Sequence, residues 1–331
     1  MRNLLLLLTL LFSWSQLCAQ SLTPLAEHQL QGNPEMTNFI VKDTLLIWPQ
    51  GEEGLKIYNV ANPDSLKLIS TYNEYAVRSR KKVYGAAYHT RLKNETLFLC
   101  YGDLGLKILD ISEPRVPTEL GTYYRHHSVY TLSLYEHFAF LGLKDLGLEI
   151  VDFSDLDNIE MVGRNNLKDY PSKNVVIMPP YTLLTGGNRG IKIFKFRSPF
   201  TDFKWAQYPK DYHPENDANK LVVVEKYGYL ANDFKGLTVL NLTLPQYPMQ
   251  QSTLKTDGRA QDLLINDNIL FVASGKSIYL FDISDKAKPA ILSQYEAGKK
   301  KFQALYLENN KLWAIYDEGF RKFGVMVFDI M

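Results

Sequence analysis

The stretch that decides the fold is Gly105-Leu-Lys-Ile-Leu-Asp-Ile111, a glycine followed by an apolar strand with an acidic residue near its end. Further copies of this phrase occur along the chain of 331 residues. The seven copies begin at Gly54, Gly105, Gly147, Gly190, Gly236, Ser277 and Gly324. Successive copies lie 41 to 51 residues apart, which is the length of one four-stranded blade. We therefore predict an all-β fold, a seven-bladed β-propeller of four-stranded blades.

Each repeat also divides into short strands. In the third repeat they are predicted at residues 129–134, 138–143, 147–153 and 159–163, with polar turns between them. Apolar residues alternate or run in short blocks without helical periodicity, which excludes a parallel sheet with helical crossovers. The seventh repeat stops after its third strand, and residues 24–30 resemble the fourth strands of other repeats. The N-terminal strand is therefore predicted to close the last blade.

The phrase Leu148-Glu-Ile-Val-Asp152 closely resembles the LVIVD repeat family, as do residues 105–111 followed by Ser112-Glu-Pro114 and residues 277–283 followed by Ser284-Asp285. The resemblance extends from residue 22 to residue 331. It implies an exported or surface-associated bacterial propeller, and it implies no common catalytic residues. The fourth repeat departs from the pattern at Lys195-Phe196, which concerns the turn of that blade and not its existence.

The first 19 residues have the features of a signal peptide. Arg2 precedes an apolar run over residues 4–12, and cleavage is expected after Ala19. Lipidation of Cys18 is the alternative, although the residues before it are not the small ones that a lipoprotein signal prefers. The run is about half the roughly 20 residues of a membrane-spanning helix, so no transmembrane segment is predicted. We expect residues 20–331 to form one propeller domain in the periplasm or at the surface of a Gram-negative, Bacteroidetes-like bacterium.

Composition and motifs exclude several classes of function. A net charge of +1 gives no reason to expect nucleic acid binding, because that function needs a basic excess. Only Cys100 remains after cleavage, so an intramolecular disulfide is excluded. Phosphate loops, dinucleotide fingerprints and nucleophile elbows are absent from the sequence, and the histidines lack the spacing of a zinc site. We therefore predict neither a cofactor nor a metal.

Two sets of acidic positions repeat from blade to blade, which favours a structural role. The first set stands at a strand end and is predicted to accept backbone hydrogen bonds from the next turn. Its members are Asp110, Asp152, Asp282 and Asp329. The second set precedes a glycine between the second and third strands, and this order predicts a tight hairpin. Its members are Asp103, Asp145, Asn188 and Asp233.

The links between blades do not repeat, so the scaffold does not dictate them, and function tends to reside in such loops. In a propeller these links lie on one face, where their basic and aromatic side chains would converge. We predict a ligand-binding mouth formed by Arg78, Arg80, Arg125, His126, His127, Lys168, Tyr170, Tyr212, His213, Arg259 and Lys300.

These features predict a non-catalytic interaction or scaffold module of the cell envelope, without catalytic residues. We expect a monomer that binds an envelope protein or an anionic polysaccharide at this basic, aromatic-lined face. The alternative is an envelope enzyme, a glycan hydrolase or lyase, with its site in the propeller mouth.

Overall fold

The structure, a computed structural model, describes residues 20–31, 38–62, 64–78, 81–124, 127–196, 206–207, 212–319 and 321–331. The predicted signal peptide lies outside these residues. The described residues form only strands, turns and loops. Among them there is accordingly no helix of the length and apolar character needed to cross a membrane.

The strands follow the predicted repeat. The first is β1 (Leu22–Gln31). Blade 1 contains β2 (Ile40–Lys42), β3 (Leu45–Pro49), β4 (Leu55–Asn59) and β5 (Lys67–Tyr72). The link to the next blade carries a separate hairpin of β6 (Tyr75–Arg78) and β7 (Lys81–Tyr84). Blade 2 contains β8 (His89–Lys93), β9 (Thr96–Cys100), β10 (Leu106–Asp110) and β11 (Thr118–Tyr123). Blade 3 contains β12 (Val129–Tyr135), β13 (Phe138–Leu143), β14 (Gly147–Asp152) and β15 (Glu160–Asn166).

Blades 4 to 6 also contain four consecutive strands each, and blade 7 contains three. Blade 4 contains β16 (Asn174–Met178), β17 (Tyr181–Thr185), β18 (Ile191–Lys195) and β19 (Ala206–Gln207). Blade 5 contains β20 (Lys220–Val224), β21 (Tyr227–Ala231), β22 (Leu237–Asn241) and β23 (Met249–Leu254). Blade 6 contains β24 (Ala260–Asn266), β25 (Ile269–Ser274), β26 (Ser277–Asp282) and β27 (Ala290–Glu296). Blade 7 contains β28 (Lys301–Glu308), β29 (Lys311–Gly319) and β30 (Lys322–Ile330).

The blades are arranged as a closed ring. Each blade is an antiparallel sheet, and in blades 1 to 6 its strands lie in chain order. The first strand of every blade contacts the first strands of both neighbouring blades, and β2 contacts β28 across the point where the ring closes. The first strands are therefore the innermost ones and surround a central channel. The predicted seven-bladed propeller is confirmed.

The N-terminal strand completes blade 7, as predicted. The sheet order is β1-β30-β29-β28, and the register runs from Leu22 opposite Ile330 to Gln31 opposite Lys322. The Tyr316 hydroxyl of β29 donates a 2.7 Å hydrogen bond to Glu27. Pairing with β1 removes the open edge that β30 would otherwise present.

The core lies between the blades. Seven apolar clusters each join two neighbouring blades, and together they cover all seven interfaces of the ring. Trp48 of blade 1 and Phe323 of blade 7, for example, pack edge to face with ring centroids 5.3 Å apart. This packing explains why strands buried on both faces appear in the sequence as short, continuous apolar blocks.

The repeated acidic positions are structural, as predicted. Backbone amides two residues further on donate to the carboxylates of Asp110, Asp152 and Asp282 at 2.7 to 2.8 Å. The hairpin glycines adopt φ of 75° to 86° at Gly105 and its three predicted equivalents. At Gly105 a Cβ would lie 2.1 Å from the Tyr123 carbonyl oxygen, so this turn admits only glycine.

Candidate ligand-binding face

The links between blades and the hairpins between second and third strands share one face of the ring. Backbone bridges join the two kinds of loop, for example Gly51 with Ala87 and Gly102 with Val129. Similar bridges recur at Gly187 and Asp233. We call this surface the link face, and the opposite surface, which carries the hairpins between first and second strands, the hairpin face.

A cavity of about 830 Å³ opens on the link face between blades 1, 2 and 3. Tyr84, Tyr88 and His127 contribute rings to its lining, and Lys144 contributes a cation. Its carboxylates are those of Glu52, Asp103 and Asp145, all of which are exposed. A cavity of this volume can hold a small ligand, or the ends of side chains that a protein partner inserts.

The β6–β7 hairpin stands beside this cavity and breaks the symmetry of the ring. Exposed side chains on it are Tyr75, Val77 and Tyr84, with exposed fractions of 47%, 67% and 55%. The two tyrosine rings pack against each other at 5.5 Å, and the Lys82 ammonium lies 4.1 Å from the Tyr75 ring centroid. Tyr84 also lines the cavity, so the hairpin forms one of its walls.

Five of the predicted mouth residues belong to the two links that border this cavity. Arg78 lies at the end of β6, and His127 lines the cavity. Arg80, Arg125 and His126 lie outside the described residues, between neighbours that the structure does describe. The structure therefore places the Arg78 backbone and His127 beside this opening.

The other predicted mouth residues belong to links further around the ring. Lys168 and His213 are exposed. Tyr212 donates a 2.9 Å hydrogen bond to Gln250, and burial, with Glu215 adding to it, raises the pKa of this tyrosine to about 12. Tyr170 is 2% exposed, and its hydroxyl lies 2.5 Å from the Leu184 carbonyl oxygen. The Tyr170 ring therefore supports the turn of blade 4 and is not available to a ligand in the mouth.

Many cations of the link face have acidic partners. Arg259 pairs with Asp233 at 3.3 Å, and Lys300 pairs with Glu27 of the closing strand at 3.3 Å. Lys107 pairs with Glu119 at 2.6 Å, which lowers the pKa of this carboxyl group despite its partial burial. Arg259 also lies over the exposed Phe234 ring at 4.8 Å, beside a second cavity of about 630 Å³. The described part of this face therefore carries mixed charge.

Sequence reasoning missed a polar layer inside the channel. The residues four positions before the end of each inner strand occupy equivalent positions in the seven blades. These residues are Asn38, His89, Thr131, Asn174, Lys220, Asp262 and Ala304. All except Lys220 are buried, and six of the seven are polar in strands that are otherwise mostly apolar. Their constant distance from the first hairpin is the signal that could have identified them.

This layer ties neighbouring blades together. Asn38 accepts a 2.9 Å hydrogen bond from the Thr90 amide of the next blade, and Asn174 accepts one of 3.0 Å from the Leu221 amide. Asp262 accepts a 2.7 Å hydrogen bond from the Leu305 amide and forms an ion pair with Lys220. The same type of contact thus joins three of the seven pairs of adjacent blades.

Two buried side chains of blade 2, His89 of β8 and Cys100 of β9, could be considered reactive. Burial, and next Arg91 and Lys220, lower the pKa of His89 well below its ordinary value. Burial raises the pKa of the Cys100 thiol well above its ordinary value, so the thiol is a poor nucleophile. The described residues contain no group of three or more histidine, cysteine or acidic side chains arranged to hold a metal ion.

The fold and the repeated turns define a seven-bladed propeller with asymmetric links. The LVIVD repeat family matches residues 97–124, 128–166 and 257–297. The chain thus contains LVIVD repeats within a seven-bladed propeller, as the resemblance of its sequence implied, and such a fold is in general that of a protein-binding or scaffold module.

A solved structure shares the architecture. The crystal structure of the computationally designed Ika8 protein aligns over 93% of this chain and 99% of its own, with a TM-score of 0.62. The two sequences are 10% identical, so this similarity concerns the fold alone. No curated protein matches the sequence.

Proposed function

We propose that this protein is an exported, non-catalytic interaction module of the bacterial cell envelope, and that it binds a partner protein at the link face. The binding surface comprises the β6–β7 hairpin and the cavity between blades 1, 2 and 3. The observation that carries the proposal is the exposure of Tyr75, Val77 and Tyr84 on a hairpin that the ring does not need. Exposed aromatic residues beside a pocket are the usual anchors of protein interfaces.

The charges around the cavity favour a protein over an anionic polysaccharide. The described lining carries the carboxylates of Glu52, Asp103 and Asp145 against the single ammonium of Lys144 and the His127 ring. A polyanion would be repelled by this set, whereas a protein surface can match a mosaic of both signs.

The alternative of an envelope enzyme acting on glycans has less support. Such a mechanism needs carboxyl groups whose pKa values are separated by burial or by close approach. The three carboxylates of this cavity are all exposed on its rim. A hydrolase or lyase activity would therefore have to arise elsewhere on the ring.

A cross-linked pull-down from the native cell envelope tests the proposal. The wild type would be compared with a variant carrying Tyr75→Ser, Val77→Ser and Tyr84→Ser, and with a second variant carrying alanine at Arg125, His126 and His127. The matched control replaces two exposed apolar residues far from the link, Leu244 and Met249, with serine. We expect one discrete protein that the wild type and the control capture and that both link variants lose. Equal capture by all four forms would refute the proposed surface, and capture of a glycan instead would refute the proposed partner.

A further inference from the structure

The central channel contains a third cavity, which opens on the hairpin face. Its volume is about 650 Å³, and it is lined by the inner strands of blades 2, 3, 4 and 5. The charged side chains in this lining are three cations, Arg91, Lys93 and Lys220, and one exposed carboxylate, Glu136. Arg91 and Ser133 lie two residues further along their strands than His89 and Thr131, so they form the next level below the polar layer.

The Arg91 guanidinium lies in the channel, and among the described residues no carboxylate forms a hydrogen bond with it. Its guanidinium makes one hydrogen bond in the described part of the chain, of 3.2 Å to the Thr90 carbonyl oxygen. Asp262 is the carboxylate within electrostatic reach, and it is already paired with Lys220 and bonded to the Leu305 amide. Since a guanidinium has five N–H donors in a planar fork, most of this binding capacity is unused.

Two buried side chains of the polar layer have unused hydrogen-bonding atoms as well. The Nδ1 atom of His89 and the hydroxyl of Thr131 have no hydrogen-bond partner among the described residues. These side chains are 5% and 1% exposed. Neither residue lines the cavity and both atoms are closed to solvent, so they belong to the packing around the cavity and not to its binding surface.

We propose that the channel binds the oxyanion group of a small molecule, a phosphate, sulfate or carboxylate, that enters from the hairpin face. Arg91 holds the anion through N–H donors that have no partner among the described residues, and Lys220 adds a second positive charge. Oxyanions are the ligands that match a guanidinium fork. The volume leaves room for an organic group attached to the anion. This site is separate from the link face, so either proposal can fail without the other.

The first test measures the melting temperature of the full mature chain in sodium phosphate, sodium sulfate and sodium acetate. Sodium chloride at matched ionic strength is the reference for salt screening, and the Arg91→Met variant in the same salts is the reference for the general stabilisation that sulfate and phosphate give to folded proteins. We expect at least one oxyanion to raise the melting temperature above both references, since a ligand that binds only the folded state stabilises it. Isothermal titration calorimetry with the most effective anion then gives its Kd. If no oxyanion exceeds both references, the proposal is refuted.

Two variants locate the site. Arg91→Lys keeps the positive charge and loses the planar fork, so it should weaken anion binding by about tenfold. Arg91→Met should abolish binding, whereas Arg115→Met, at an exposed position outside the cavity, is the matched control and should leave it unchanged. If Arg91→Met does not fold, Arg91→Lys still decides. An unchanged Kd in Arg91→Lys, or an equal loss in Arg115→Met, would overturn the assignment.

Discussion

Removal of the Arg164 side chain would test how strongly one buried ion pair stabilises the contact between blades 2 and 3. Glu149 of β14 is fully buried, and Arg164 of β15 lies directly opposite in the sheet register. The Nε atom of Arg164 donates to Glu149 at 2.6 Å, and its Nη2 atom donates to the same oxygen. The Tyr123 hydroxyl of the neighbouring blade donates to the other oxygen at 3.1 Å.

The Arg164→Met variant keeps the aliphatic stem and leaves a buried carboxylate without its cation. Loss of one partner of a buried ion pair costs about 3–5 kcal/mol. For a domain of this size, about 2 °C per kcal/mol gives a melting temperature lowered by roughly 6–10 °C. Tryptophan fluorescence is a suitable probe of unfolding, because Trp48 and Trp313 are both buried.

Two further variants complete this experiment. The double variant Glu149→Gln with Arg164→Met removes the stranded charge and keeps an acceptor for Tyr123, so it should recover most of the loss. Lys42→Met breaks the exposed Lys42–Glu95 pair and should cost no more than about 1 kcal/mol. If Arg164→Met melts as the control does, or if the double variant is no better than the single one, the reasoning from burial is wrong.

Three other predictions concern closure, reactivity and pH. A chain that begins at Asn33 lacks β1 and should melt far lower or aggregate; an unchanged melting curve would refute closure by this strand. Cys100 should resist iodoacetamide at pH 8 and react only in urea, because burial raises its pKa; rapid labelling of the native protein, seen by mass spectrometry, would contradict the burial. Since the pKa of His89 is lowered by burial, Arg91 and Lys220, the unfolded state binds a proton below about pH 6.5 that the folded state does not. The free energy of unfolding should therefore fall by about 1 kcal/mol per pH unit below that point. The His89→Asn variant carries the residue that blades 1 and 4 have at this position, and it should not show this fall when urea unfolding is measured over the same pH range.

The blades could be predicted because the same local requirements recur along the chain. A glycine with positive φ turns the chain into the third strand in blades 1 to 5, and a carboxylate caps the turn after that strand in blades 2, 3 and 6. Both are local effects, so they appear at fixed spacing in the sequence. The third repeat shows the limit: its fourth strand was predicted at 159–163 and runs over Glu160–Asn166, because outer-strand residues are half exposed and carry a weaker apolar pattern.

The candidate site was less predictable because it depends on contacts between distant parts of the chain. The predicted link at residues 78–82 lies within the β6–β7 hairpin. The sequence did not predict this hairpin, because Ser79-Arg80 between the two strands has neither the glycine nor the asparagine that usually marks a hairpin turn. The basic face was predicted by counting the cations of the links alone. Their acidic partners, such as Glu27 for Lys300, come from other strands that only the closed ring brings near. The polar layer was missed because each blade contributes a single residue to it.

The pairing of β1 with β30 also fixes an order of events in time. Strand β1 is synthesised before the blades and its partner β30 after them, so the ring cannot close until β30 has been made. During that interval Trp48 and Phe39 of blade 1 lack the side chains of blade 7 that cover them in the finished protein. An unpaired β1 could add itself to the last blade of another molecule, and exchanged dimers are the expected product when this step is slow or crowded.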